Sequence, residues 1–297
     1  MSLLSKPLPA LNDAEGDKIP AALPPIIDAH IHIFPDGIFQ SVRNWFDQYG
    51  WPIRYRLPSS EVLGYLLSRG ITHVVAYQYA HKPGIADDLN HYMVEQCQKY
   101  PQQITGMATV FPGEKNCENI LKKAFDAGLK GVKLHAHVQC FDMNSREMDI
   151  IYDLCALEAK PLVMHAGREP KSPAYKCDPH VLCSAEKLEN VIKNYPGLKV
   201  SVPHLGFDEI LPYARLIEKY DNLWLDTAMA LTDYFPKKDP VSLRKMRTDR
   251  IMYGSDFPNI PYAWDRELKW IKEAGFPDDV LEFVLAKNAM DFFSLES

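Results

Sequence analysis

Residues 26–34 read IIDAHIHIF, an apolar run in which Asp28, His30 and His32 recur at every second position. A period of two among β-branched and aromatic residues is the pattern of a strand, and strands this apolar suit a parallel sheet buried on both faces. Seven further short runs follow: 71–79 (ITHVVAYQY), 104–111 (ITGMATVF), 131–138 (GVKLHAHV), 161–165 (PLVMH), 198–204 (LKVSVPH), 223–226 (LWLD) and 251–254 (IMYG). Between and after them, 61–68, 86–99, 115–127, 146–158, 185–194, 208–219, 241–249, 265–274 and 279–293 read as helices, with Gly70, Gly128 and Gly131 marking where a helix stops before a strand. Residues 1–24 form a Pro-rich lead-in. The remaining 25–297 give about 34 residues per βα unit over eight units, the size of a single-domain (β/α)8 TIM barrel. A doubly wound open sheet shares the alternation, and the residues at the strand ends favour the barrel.

The 297 residues are 46% hydrophobic and 24% charged, which is globular usage and excludes disordered, collagen-like and coiled-coil chains. A formal charge of -6 removes the positive field with which a nucleic-acid binder attracts phosphates. No run of about 18 apolar residues is present to span a membrane. Residues 1–18 lack an apolar export segment, and 19–27 is broken by Pro20, Pro24 and Pro25. Six cysteines scattered through so long a chain point to reduced thiols, and so to a cytoplasmic protein.

His30 and His32, two apart on a strand, project from one face near its carboxyl end, and two imidazoles so placed reach one divalent ion at about 2.0–2.1 Å. His165 ends the fifth strand, His204 the sixth, and Asp256 follows the eighth. In an eight-stranded barrel these termini converge on one mouth, where such enzymes build their sites.

The stretches that carry these residues are DAHIH (28–32), MHAG (164–167), PHLG (203–206) and GSDFP (254–258). In them the chain resembles the amidohydrolase superfamily, and within it the amidohydrolase-2 group of metal-dependent hydrolases and aminocarboxymuconate-semialdehyde decarboxylase-like proteins. The resemblance runs from about residue 26 to the end. It implies that His30, His32, His165 and Asp256 ligate one divalent metal, most often zinc, with His204 beside the metal-bound water. It also implies a homo-oligomer. Three neutral imidazoles leave such an ion Lewis acidic, and a bound water falls from pKa 15.7 toward about 7. Asp256 then acts as general base and acid, and His204 orients the substrate or stabilises an oxyanion.

Lys133, His135 and His137 share one face of the fourth strand by the period of two. In binuclear members of the superfamily a carbamylated lysine on this strand bridges two metals, and Lys133 is the residue in that place. The amidohydrolase-2 group is usually mononuclear, so the resemblance favours an unmodified ammonium, paired with Asp28 or Asp256 or receiving a substrate carboxylate, with the carbamylated bridge as the alternative. Residues 177–183 (CDPHVLC) match no structural zinc spacing. Two long connections, 35–60 and 166–183, would lie over the mouth. Trp45, Phe46, Trp51 and Tyr55 in the first suit an aromatic or apolar substrate, and Arg168, Lys171, Tyr175 and Lys176 in the second suit an anion. Asp226 ends the seventh strand, where a carboxylate can hold the second nitrogen of a ligating histidine.

The sequence thus leads to a metal-dependent hydrolase acting on an ester, lactone or amide of a small carboxylated molecule. A non-oxidative decarboxylase on the same ligand set is the first alternative, and a non-catalytic metal-binding barrel the second.

Overall fold

The computed structural model describes residues 8–234 and 242–296. Eight parallel strands follow in order: β1 Ile27–His32, β2 His73–Tyr77, β3 Ile104–Gly106, β4 Val132–His135, β5 Leu162–His165, β6 Val200–Val202, β7 Leu223–Asp226 and β8 Ile251–Met252. β1 to β3 pair in sequence, as do β4 to β8. Two parallel bridges join these sets into a ring: Ala108 to Val132 beyond β3, and Ile31 to Phe257 beyond β8. At the second seam Ala29 N donates to Tyr253 O (2.9 Å) and His32 N to Phe257 O (2.8 Å). The sheet is a closed (β/α)8 barrel.

The helices are α1 Asp36–Tyr49, α2 Ser59–Ser68, α3 Ala86–Lys99, α4 Cys117–Asp126, α5 Ala136–Gln139, α6 Arg146–Leu157, α7 Pro179–Leu182, α8 Ala185–Asn194, α9 Ile210–Lys219, α10 Arg266–Glu273, α11 Asp278–Glu282 and α12 Asn288–Phe293. α11 runs into α12 through a π turn, Phe283–Lys287. Alternate strand residues separate two buried clusters. Val163, Trp224 and Met252 pack with Ile27, Val75 and Phe292, while their neighbours Leu162, Leu225 and Ile251 pack on the helical layer. A register shift between Asp28 and Ile31 resets the alternation on β1. Ile27 and Ala29 enter the smaller cluster, and His30 and His32 line the mouth above it.

The structure corrects several expectations. The connection 35–60 is largely helical: α1 buries Phe39 and Arg43, one turn apart, and carries Trp45 and Phe46 toward the mouth. A helix over 241–249 does not form among the described residues, and Val241 lies outside them. Leu243–Lys245 and Thr248–Arg250 make separate 3₁₀ turns, and between them Arg247 contacts Asp221 (2.6 Å) and the Ile217 carbonyl (3.1 Å). β4 stops at His135, so His137 belongs to α5 and not to the strand. Not all thiols are free, because Cys140 and Cys177 form a disulfide with Cα atoms 5.8 Å apart, whereas Cys97, Cys117, Cys155 and Cys183 remain unpaired. The described part of the lead-in lies against the barrel, with Arg266 paired to Asp13 (2.7 Å) and Gly16 N donating to Asp265 (2.9 Å). No helix among the described residues is long and apolar enough to cross a membrane.

Candidate active site

The seam between β1 and β8 builds the first donor group. Asp28 accepts Ser255 N (3.0 Å) and Ser255 Oγ (2.5 Å), and Asp256 N donates to the His30 carbonyl (2.8 Å). These bonds hold Asp256 in the left-handed region, at φ 63°, and place its carboxylate over the paired histidines. His30 Nε2 lies 3.1 Å from His32 Nε2 and 3.4 Å from Asp256 Oδ1, and His32 Nε2 lies 3.1 Å from the same oxygen. All three side chains are buried. A tetrahedral ion with bonds of about 2.1 Å holds its donors roughly 3.4 Å apart, and an octahedral one about 3.0 Å apart, so this triangle fits one divalent ion.

Electrostatics give these donors the required charge states. Burial pushes His30 well below its ordinary value and lowers His32 as well, keeping both imidazoles neutral. Burial alone would raise Asp256; the hydrogen bond and charge of His32, then His30 and His204, hold it down at about 2. The set is two neutral nitrogens and one anionic oxygen. His32 Nδ1 is buried and has no hydrogen-bond partner.

Asp226, at the end of β7, supports two histidines. Its Oδ2 lies 2.9 Å from His30 Nδ1, and its Oδ1 accepts His204 N (3.0 Å) and Ala228 N (3.1 Å). His204 does not end β6. It sits in the turn Pro203–Gly206 at φ 59°, with Nδ1 donating to the Ala228 carbonyl at 2.7 Å. A carbonyl can only accept, so Nδ1 carries the proton and Nε2 is the exchangeable nitrogen.

His165 faces another partner. Its Nε2 lies 2.5 Å from Glu169 Oε1, and His137 Nε2 lies 3.1 Å from Glu169 Oε2. The rings of His135 and His165 stack at 4.0 Å. The structure therefore groups His165 with His135 and Glu169, while its ring stands 4.7 Å from that of His204. Burial lowers His165 to about 3. Burial would raise Glu169, but His137 and His165 hold it well below the usual carboxylate range. Sequence reasoning missed Glu169; the signal is a carboxylate four residues past a strand-end histidine, in HAGRE.

Lys133 lies wholly inside the barrel, its Nζ without a hydrogen bond and 4.8 Å from the Tyr77 ring centre. It is not paired with Asp28, whose oxygens Ser255 and His30 N occupy, nor is it ion-paired with Asp256. Burial lowers its ammonium to about 8, against the pull of Asp226, Asp256 and Glu169. Arg168 is turned away from the mouth. Its guanidinium donates to the Cys183 carbonyl (3.1 Å) and faces Glu209 (3.6 Å), which uses it to hold the β5 connection in place. Lys171 pairs with Asp178. Tyr175 donates to Glu169 Oε2 (2.9 Å), and Lys176 lines the mouth.

Both donor groups open into one cavity of about 350 Å³. His32, Asp256, His204, His135, His165 and Glu169 supply its polar wall, and Trp45, Phe46, Trp51, Tyr79, Tyr175 and Phe207 supply an aromatic one. Tyr55 points elsewhere, accepting from Trp264 N (2.9 Å).

Comparison with solved structures agrees with this fold. The chain is similar to an uncharacterized TIM-barrel protein of Bordetella bronchiseptica, with TM-score 0.69, 17% identity, and 92% of this chain and 99% of that one covered. A dihydroxybenzoic acid decarboxylase of Polaromonas, solved with manganese and the inhibitor 2-nitroresorcinol, gives TM-score 0.67, 15% identity and coverage of 92% and 98%. A 5-carboxyvanillate decarboxylase of Novosphingobium aromaticivorans, solved with manganese and 4-hydroxy-3-methoxy-5-nitrobenzoic acid, gives TM-score 0.65, 16% identity and coverage of 95% and 99%. The model of the amidohydrolase family described above by its strand-end motifs matches residues 27–295, nearly the whole barrel, and the chain belongs to that family.

Proposed function

We propose that the protein is a metal-dependent, non-oxidative decarboxylase of a small hydroxylated aromatic acid. The observation that carries this reading is the cavity, in which aromatic side chains face a floor of metal-type donors. Trp45, Phe46, Trp51, Tyr175 and Phe207 offer flat apolar surface to a planar ring, and His30, His32 and Asp256 wait at its acidic edge. The solved decarboxylases of this fold, which contain manganese and a nitro-substituted phenol or acid, support the lyase reading over the hydrolase one. They also favour manganese over zinc.

When bound, the ion supplies a Lewis acid that neutralises the anionic oxygens of the substrate. The residues of the chain do the rest. The aromatic walls exclude water from the carboxylate to be lost, which favours release of uncharged carbon dioxide. The bond between ring carbon and carboxylate carbon breaks, its electron pair stays on the ring, and that ring carbon takes a proton. His204 Nε2 is the nitrogen placed to hold and deliver it, and Asp256 is the adjacent carboxylate that steadies the charged imidazole.

The test is product analysis with manganese-loaded protein and a panel of dihydroxybenzoates and carboxylated vanillate-type acids. One carbon dioxide per ring consumed is the expected result. Acid release from aryl esters or lactones without carbon dioxide would restore the hydrolase reading, and turnover of neither class would leave the non-catalytic barrel.

A further inference from the structure

β2 sends one ring beyond its own end into the cavity. Val75 and Tyr77 pack inside the barrel, and Gln78 turns the other way to donate to the Leu89 carbonyl of α3, so Tyr79 continues the inward side of the chain into the mouth. Three rings stand edge-on around it: His135 at 4.9 Å, Phe34 at 5.2 Å and His32 at 5.9 Å between ring centres. The next residue is pinned on both sides, since Ala80 N donates to Thr109 Oγ1 (3.1 Å) and its carbonyl accepts Gln139 Nε2 (2.9 Å). Tyr79 is thus a rigid post between His32 and His135.

Several donors around the cavity are engaged by the chain itself. Tyr175 donates to Glu169 (2.9 Å), Trp51 Nε1 to the Asn259 carbonyl (2.7 Å), Ser41 to the Gly37 carbonyl (3.1 Å) and His204 Nδ1 to the Ala228 carbonyl (2.7 Å). The hydroxyl of Tyr79 is not. It makes no hydrogen bond among the described residues, although the side chain is half-buried. A ligand that covers this hydroxyl without accepting from it strips its water and leaves a donor unpaired, which costs free energy, whereas an oxygen at the same point restores the bond.

We propose that Tyr79 is a specificity-determining residue whose hydroxyl donates a hydrogen bond to a hydroxyl or ether oxygen on the ring of the bound acid, distinct from the carboxylate to be lost. The phenol is protonated at neutral pH and its ring is fixed by its neighbours, so little freedom is lost when the bond forms. An acid with a methyl group in place of that oxygen leaves the donor unpaired, and a site built to hydrogen-bond rejects such an analogue more strongly than a site that measures size alone. Tyr79 acts here on binding rather than on the breaking bond, because its contact to a ring oxygen is made equally before and after carbon dioxide departs. The inference deepens the aromatic-acid reading and rests on it.

The experiment measures binding apart from turnover. Manganese-loaded protein is titrated calorimetrically with 2-nitrophenol and with its ring-hydroxylated derivatives, 2-nitroresorcinol among them, in which the nitro group takes the place of the carboxylate and cannot be lost. The wild type should bind at least one derivative about 5- to 10-fold more tightly than 2-nitrophenol, and Tyr79→Phe, which keeps the ring and removes the hydroxyl, should bring the two within about twofold while 2-nitrophenol itself binds as before. A preference that survives in Tyr79→Phe, an equal loss for every ligand, or a wild type without preference overturns the inference. Circular dichroism checks folding. If Tyr79→Phe fails to fold, the wild type decides alone: exchanging the added hydroxyl of the preferred ligand for methyl should abolish the preference, and a methyl analogue that binds as tightly refutes the bond. Failure of the decarboxylase reading shows separately, as a protein that keeps this Tyr79-dependent preference and releases no carbon dioxide from any aromatic acid.

Discussion

His30 Nδ1 lies 2.9 Å from Asp226 Oδ2, with both side chains buried. A carboxylate accepts and does not donate, so the proton sits on Nδ1 and the lone pair of Nε2 faces His32 and Asp256. Replacing Asp226 by Asn offers an amide N–H to the same nitrogen and favours the wrong tautomer. Asp226→Asn should weaken metal binding by about 10- to 100-fold, read by competition with a chromophoric chelator. Unchanged affinity would remove Asp226 from this role.

His204 is held through Nδ1 and its backbone, leaving Nε2 for the substrate. His204→Asn should lower kcat by about 10²–10⁴ while the metal bound at His30, His32 and Asp256 stays in place. Release of that metal on substitution would make His204 a ligand.

Lys133 gives a pH signature. Its folded value, about 8, lies below the ordinary 10.5, so from pH 8 to 10.5 the unfolded chain holds a proton that the folded chain has lost. Stability from this group therefore rises with pH through that window, and the full burial penalty applies below pH 8. In metal-free protein, Lys133→Met should stabilise at pH 7 by on the order of 3 kcal/mol, with the advantage shrinking toward pH 10. Urea denaturation at the two pH values checks this; a gap that does not change with pH refutes it.

Gly254 sits where a side chain would strike the first donor group. A Cβ there would meet His30 Cβ at 2.7 Å and His30 N at 3.4 Å. Gly254→Ala should therefore push His30 out of line and cost about 1–3 kcal/mol of stability together with metal affinity. A variant with wild-type metal content and melting temperature would show that the seam between β1 and β8 gives way.

The strands and the mouth were legible because each β1, β5 or β7 run is short, apolar and ends on a polar residue, and the β8 run is followed closely by Asp256. His30, His32 and Asp256 meet as those termini converge. The partner of His165 was not legible, since Glu169 lies in an irregular connection where no periodicity fixes direction. His204 escaped the strand reading for a similar reason: its left-handed turn depends on Asp226, 22 residues further on. α1 was hidden because its aromatic face looks into a cavity, which breaks the polar-out pattern by which a surface helix is recognised.

Trp45 of α1 stacks on Tyr175 at 5.3 Å, and Tyr175 lies two residues before Cys177, which is joined to Cys140. Two chain segments thus meet above the cavity, one riveted to the barrel next to α5 and the other carried on a helix. The stacked pair spans the entrance, so its width is set on one side by a loop anchored through the disulfide and on the other by where α1 is docked.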